Sequence, residues 1–154
     1  MSRLLRIALA AGVFVAALAP ASLHAQAAVA AVPSAAPDSI AFPRQFVDWV
    51  FSNRGDSAFA HAGPRLRESM KSADGVNAMA GRVFGRFGAM EGTDAEAQFD
   101  EDALKVYIAV LRFPSAPEPG AFVVAYSPAT KVVERASFGP LSTVKTRYPQ
   151  AKLP

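Results

Sequence analysis

The longest unbroken β-prone run in the chain is LKVYIAVLRF, from Leu104 to Phe113. A period of two places Leu104, Val106, Ile108 and Val110 on one face and Tyr107, Ala109, Leu111 and Phe113 on the other. A strand that is apolar on both sides needs cover on both sides. Before it, Ala95, Ala97 and Phe99 alternate with Asp94, Glu96 and Gln98, which predicts a half-exposed strand from Met90 onward. Asp100-Glu101-Asp102 makes a polar turn between the two. After the central run, Pro114 to Gly120 reads as a proline-rich loop, Ala121 to Tyr126 as a third strand, Ser127 to Thr130 as a turn, and Lys131 to Phe138 as a fourth strand. Connections this short favour an antiparallel meander.

Upstream the period changes to that of a helix. Phe46, Val47, Val50 and Phe51 form one apolar face of a helix predicted over Pro43–Arg54, with Trp49 at its flank. Pro43 suits its first position and Gly55 its C-terminal cap. Asp56 reads as the N-cap of a short helix over Ser57–Ala62, ended by Gly63-Pro64. Arg65 to Ser72 offers only Leu66 and Met70 for burial, which fits a further helical turn or an ordered loop. Val76, Met79, Val83 and Phe87 predict a third helix from Asp74 or Gly75 to Phe87, closed by Gly88. Gly81 and Gly85 fall on one face of it, where they would admit a close neighbour. Leu141, Val144 and Tyr148 are the residues by which the mixed tail can dock. Helices followed by a four-stranded meander define an α+β fold, with a single domain over 39–148 and a tail over 149–154.

The N-terminus bears on location. Arg3 and Arg6 precede an apolar run from Ile7 to Leu18, followed by small residues and Ala25-Gln26-Ala27. This is the pattern of a secretory signal peptide over 1–25, cleaved after residue 25 or 27. The apolar run is shorter than the ~20 residues a spanning helix needs, so no stable membrane anchor is expected after cleavage. An Ala/Pro-rich spacer follows over 26–38, and the expected location is periplasmic or secreted. The net charge of +3 also changes, because Arg3 and Arg6 account for two of the 16 basic residues that face 13 acidic ones. A nearly neutral mature chain gives no case for a nucleic-acid partner. With no cysteine there is no disulfide, thiol nucleophile, Cys-ligated metal or lipid-acylation site.

Three features together resemble the NTF2-like (cystatin-like, cone-shaped α+β) superfamily. They are the Asn53-Arg54-Gly55-Asp56 ending of the first helix, the short Asp56–Ala62 helix, and the third helix running into Gly88 before the strands. The resemblance covers Ser39 to Phe138 and rests on order and spacing. It implies a cavity between a curved sheet and the helices, used as a pocket or filled by side chains. It also implies that sheet-to-sheet homodimers are common, and that an acid beside a tyrosine can abstract a proton, as in ketosteroid isomerases.

Asp94 or Glu96 with Tyr107 would be such a pair, set against a plainer account in which Asp94, Glu96 and Gln98 are the solvated face of an edge strand. His61 is the other catalytic candidate, as a general base; its plainer account is a residue at a helix end. Arg82 and Arg86, four apart, could bind an anion or simply face solvent. Asp100, Glu101 and Asp102 lack the spacing of a calcium loop, and no metal site or cofactor is expected. Trp49, Tyr107, Leu111, Phe113 and Phe122 form a candidate ligand or partner face, which a second protomer, the tail or an envelope protein would cover. The leading functional expectation is an exported, non-enzymatic domain that binds a small apolar ligand in its cone or a protein on its sheet. The alternatives are a cofactor-free isomerase or dehydratase, and an envelope inhibitor or assembly factor.

Overall fold

The computed structural model describes residues 40–154, so the expected signal and spacer lie outside the described residues. Four helices come first: α1 (Ala41–Phe51), α2 (Gly55–Ala60), α3 (Pro64–Met70) and α4 (Ala73–Phe87). Four strands follow, β1 (Gly92–Glu101), β2 (Leu104–Arg112), β3 (Gly120–Ser127) and β4 (Val132–Pro140). Helix α5 (Leu141–Arg147) and a 3-10 turn at Pro149–Ala151 close the chain. The sheet has the order β1-β2-β3-β4 with every neighbouring pair antiparallel. This is the α+β meander that the strand periodicity predicts.

The helical segment differs from its sequence reading in instructive places. Pro43 sits in the first turn of α1, where its missing N–H has no helical partner to lose. Asn53, at φ 56°, takes the left-handed position after α1 that Gly55 was expected to fill. Gly55 instead opens α2, and a Cβ there would collide with the Ala73 carbonyl and the Asn77 side chain. Its N–H donates to Asn77 Oδ1 at 2.9 Å, so the glycine lets α2 lie directly on α4. Most of the Arg65–Ser72 stretch is helical as α3, which starts at Pro64 and ends at Met70, while Ser72 caps α4. Gly81 and Gly85 depart from expectation: no atom lies within 4 Å of a Cβ built on either, so they face open space and admit no neighbour.

Both faces of β2 are buried, but the covers are exchanged relative to the expectation. Tyr107, Ala109 and Leu111, with Phe113, Phe122, Val124 and Tyr126, lie under α1 to α4. Val106, Ile108 and Val110, with Ala121, Val123 and Ala125, lie under Leu141 and Val144 of α5 and under Tyr148. The face built by Tyr107, Leu111, Phe113 and Phe122 is therefore interior, and Trp49 on α1 is 7% exposed. The face on which a second protomer was expected is thus covered by α1 to α4, and α5 with Tyr148 covers the opposite one.

A residue 24 positions upstream starts α5. Glu118, in the loop after β2, accepts from Ser142 N–H at 3.1 Å and from Ser142 Oγ at 3.0 Å. Leu141 N–H donates to the Pro119 carbonyl at 3.0 Å. A carboxylate on the first turn satisfies otherwise orphaned donors and opposes the positive end of the helix dipole.

Candidate functional site

The interior of the helix–sheet layer is largely closed by aromatic rings. Phe51 of α1 meets Phe84, Phe113, Phe122 and Phe138 at centroid distances of 5.9, 6.2, 5.4 and 6.2 Å. The layer opens toward edge strand β1, where a cleft of about 410 Å³ lies between α1 and the start of β1. Its walls are Arg44, Val47 and Asp48 from α1, Met90, Thr93 to Glu96 from β1 and the segment before it, and Tyr107 from β2. The three α1 residues share a helix face at i, i+3 and i+4, which turns them together toward the strand.

Glu96 is the centre of the cleft's polar wall. In the β1–β2 register it pairs with Ala109 while Gln98 pairs with Tyr107, so Glu96 and Tyr107 are diagonal neighbours on one face. Arg44 donates to it from Nε, at 2.8 and 3.0 Å to the two carboxylate oxygens, and from Nη2 at 2.6 Å. The Tyr107 hydroxyl donates to Oε1 of the same carboxylate. Beside this pair, the Tyr126 hydroxyl donates to Gln98 Oε1 at 3.2 Å. Glu96 and Gln98 are thus half-buried and met by two tyrosines, while Asp94 stays exposed on the edge strand.

These contacts polarise the two titratable groups in opposite senses. The hydrogen bonds from Arg44 hold the Glu96 carboxyl below the usual carboxylate range; partial burial opposes this and Tyr107 adds to it. Burial pushes the Tyr107 phenol well above the usual tyrosine range, and the hydrogen bond to anionic Glu96 pushes it the same way. A general base or acid works best with a pKa near the ambient pH. Here the acid–tyrosine pair moves away from neutrality on both sides.

The remaining sequence candidates are distributed elsewhere. Asp94 lines the cleft but sits at a register shift between Thr93 and Ala95, and pairs with Arg112 Nη1 at 2.9 Å instead of Tyr107. His61 stands apart from the cleft. Its ring stacks on Trp49 at 5.0 Å and 20° and meets Phe42 edge-on at 5.4 Å. Its Nδ1 donates to the Lys131 carbonyl at 3.0 Å, which fixes the tautomer and pins the ring between α1 and the start of β4. Arg82 and Arg86 lie on the exposed side of α4, away from Glu96. Among the described residues no group of three or more His, Asp or Glu is placed to hold a metal ion.

The sequence pattern alone gives no reason to single out Arg44 and Asp48, since each is one charge on an exposed helix turn. Glu96 is visible in the alternation, but its partner and the direction it points depend on the register shift beside it. Comparison with known protein families, with curated proteins and with solved structures finds no match to this chain.

Proposed function

We propose that this chain is an exported, non-enzymatic binding domain of NTF2-like architecture whose ligand site is the Arg44–Glu96–Tyr107 cleft. The order of helices and meander supports the architecture, and the Arg3 to Ala27 pattern supports export. The observation that carries the reading is the triad itself, a carboxylate clamped by a guanidinium and a phenol on the wall of an open cleft. A preorganised polar group beside apolar surface from Val47, Met90 and Ala95 is what a small-molecule site requires. The opposite displacement of the two pKa values argues for binding over proton transfer.

The ligand class follows from the cleft's charges. Of the three carboxylates lining the cleft, Glu96 is paired with Arg44 and Asp94 with Arg112, which leaves Asp48 without an ion pair among the described residues, so a positive or donor-rich group on an apolar body is favoured over an anion. Phenethylamine and phenylacetate are matched probes of that preference. Titrated into the ¹⁵N-labelled full chain, phenethylamine should move the amide resonances of Thr93, Glu96 and Tyr107, and Asp48→Asn should weaken it. Equal or stronger response to phenylacetate at those residues, or turnover of a β,γ-unsaturated ketone lost in Glu96→Gln, would overturn the reading.

A further inference from the structure

A second cavity, of about 540 Å³, shares no lining residue with the Arg44 cleft. It lies where the end of α4, the Pro114–Gly120 loop and the end of β4 converge. Its walls include the rings of Phe87, Phe113 and Phe138, with Phe113 and Phe138 in edge contact at 5.7 Å and 81°. The loop that forms its rim is tied down at two points. Ser115 N–H donates to the Phe87 carbonyl at 3.1 Å, and Glu118 with Pro119 holds the start of α5. Prolines at 114, 117 and 119 lower the entropy that the loop would otherwise lose on closing over a guest.

The charges at this cavity are unequal in what they have left to give. Both carboxylate oxygens of Glu118 already accept from Ser142. Arg86 forms no ion pair among the described residues, and its guanidinium lies 5.1 Å over the Phe87 ring. The carbonyls nearest it at the end of α4 are occupied too, Phe84 by Gly88 N–H at 2.9 Å and Phe87 by Ser115 N–H. In a largely apolar cavity whose one carboxylate, Glu118, has both oxygens engaged while its one guanidinium, Arg86, keeps donors to give, the free hydrogen-bonding capacity suits an apolar body bearing one negative charge.

We infer that this cavity is a second binding site, for a small aliphatic or aromatic monocarboxylate, with its chain among Phe87, Phe113 and Phe138 and its carboxylate on Arg86. Arg82, one turn earlier on α4, stands outside the cavity lining and has no direct part. The preference is opposite in sign to that of the Arg44 cleft, so the two sites separate by ligand charge.

The test is calorimetric titration of the full chain with decanoate and with decanol. Decanoate should bind the wild type more tightly than decanol. Arg86→Gln, at an exposed position that leaves the fold intact, should weaken decanoate about tenfold and leave decanol unchanged, as loss of one charge-assisted contact requires. Ser115→Trp, which places a large ring at the exposed rim, should weaken both. Arg44→Gln and Glu96→Gln should leave decanoate binding unaltered. Absence of decanoate binding at millimolar concentration, equal affinity for decanol, or an Arg86→Gln variant that binds decanoate like the wild type would each overturn the inference.

Discussion

Tyr107→Phe removes one oxygen atom from the centre of the proposed site and nothing else. The ring stays, so no cavity forms in a residue that is 1% exposed. What disappears is a hydrogen bond from a buried phenol to an ionised carboxylate, a class of contact that contributes roughly 1.5–3 kcal/mol. Glu96 keeps the two Arg44 donors, and its side chain is 24% exposed, so water can take up part of the lost contact. The expected cost is therefore at the low end, about 1.5 kcal/mol near neutral pH.

The pH dependence supplies the sharper test. The Glu96 carboxyl is held below its unfolded value, so its contribution is fully present above the unfolded pKa of about 4.3 and is lost as pH falls through the folded value. Below that point the phenol faces a neutral acid and the bond is an ordinary one. Urea melts of wild type and Tyr107→Phe should thus differ by about 1.5 kcal/mol at pH ~7, and by progressively less as the pH falls through the folded Glu96 value. A difference that is negligible at neutral pH, or one that does not shrink in acid, would refute the assignment of Glu96 as an anionic acceptor.

Other substitutions test the frame around the site. Ile108→Asp places an unpaired charge under α5 in a central strand at a fully buried position and should cost several kcal/mol; a soluble variant with a wild-type melting temperature would contradict the strand placement. Gly81→Ala and Gly85→Ala, with open space at each Cβ, should each stabilise the chain by up to about 1 kcal/mol, read as a rise in melting temperature. Glu118→Ala should cost about 1 kcal/mol and raise amide exchange across α5 selectively, since it removes the acceptor for Ser142.

The strands and the apolar face of α1 are legible in the sequence because they rest on periodicity, which is a local property. Leu104 to Phe113 needs no distant partner to show that both its faces are apolar. The parts that escape a sequence reading depend on contacts across the chain. Period two separates Tyr107 from Ile108 but does not say which set meets α1 and which meets α5. Helix α5 is short, and its first turn is satisfied by Glu118, outside any local window. Gly55 and Gly81 are the same residue type, yet one lies against Ala73 and the other faces open space, a difference that only packing creates. At the site, the shift between Thr93 and Ala95 hands the tyrosine to Glu96 and leaves Asp94 with Arg112, and no residue at that position announces a bulge.

The claim that this cleft binds and does not transfer protons rests on the ionisation of two side chains, which carbon-detected NMR titration of the folded chain can follow directly. Glu96 should titrate below about 4.3, and Tyr107 should remain protonated beyond pH ~10, where an ordinary tyrosine has half ionised. A Glu96 midpoint near neutrality, or a Tyr107 that ionises below the ordinary value, would contradict the account and return the pair to acid–base catalysis.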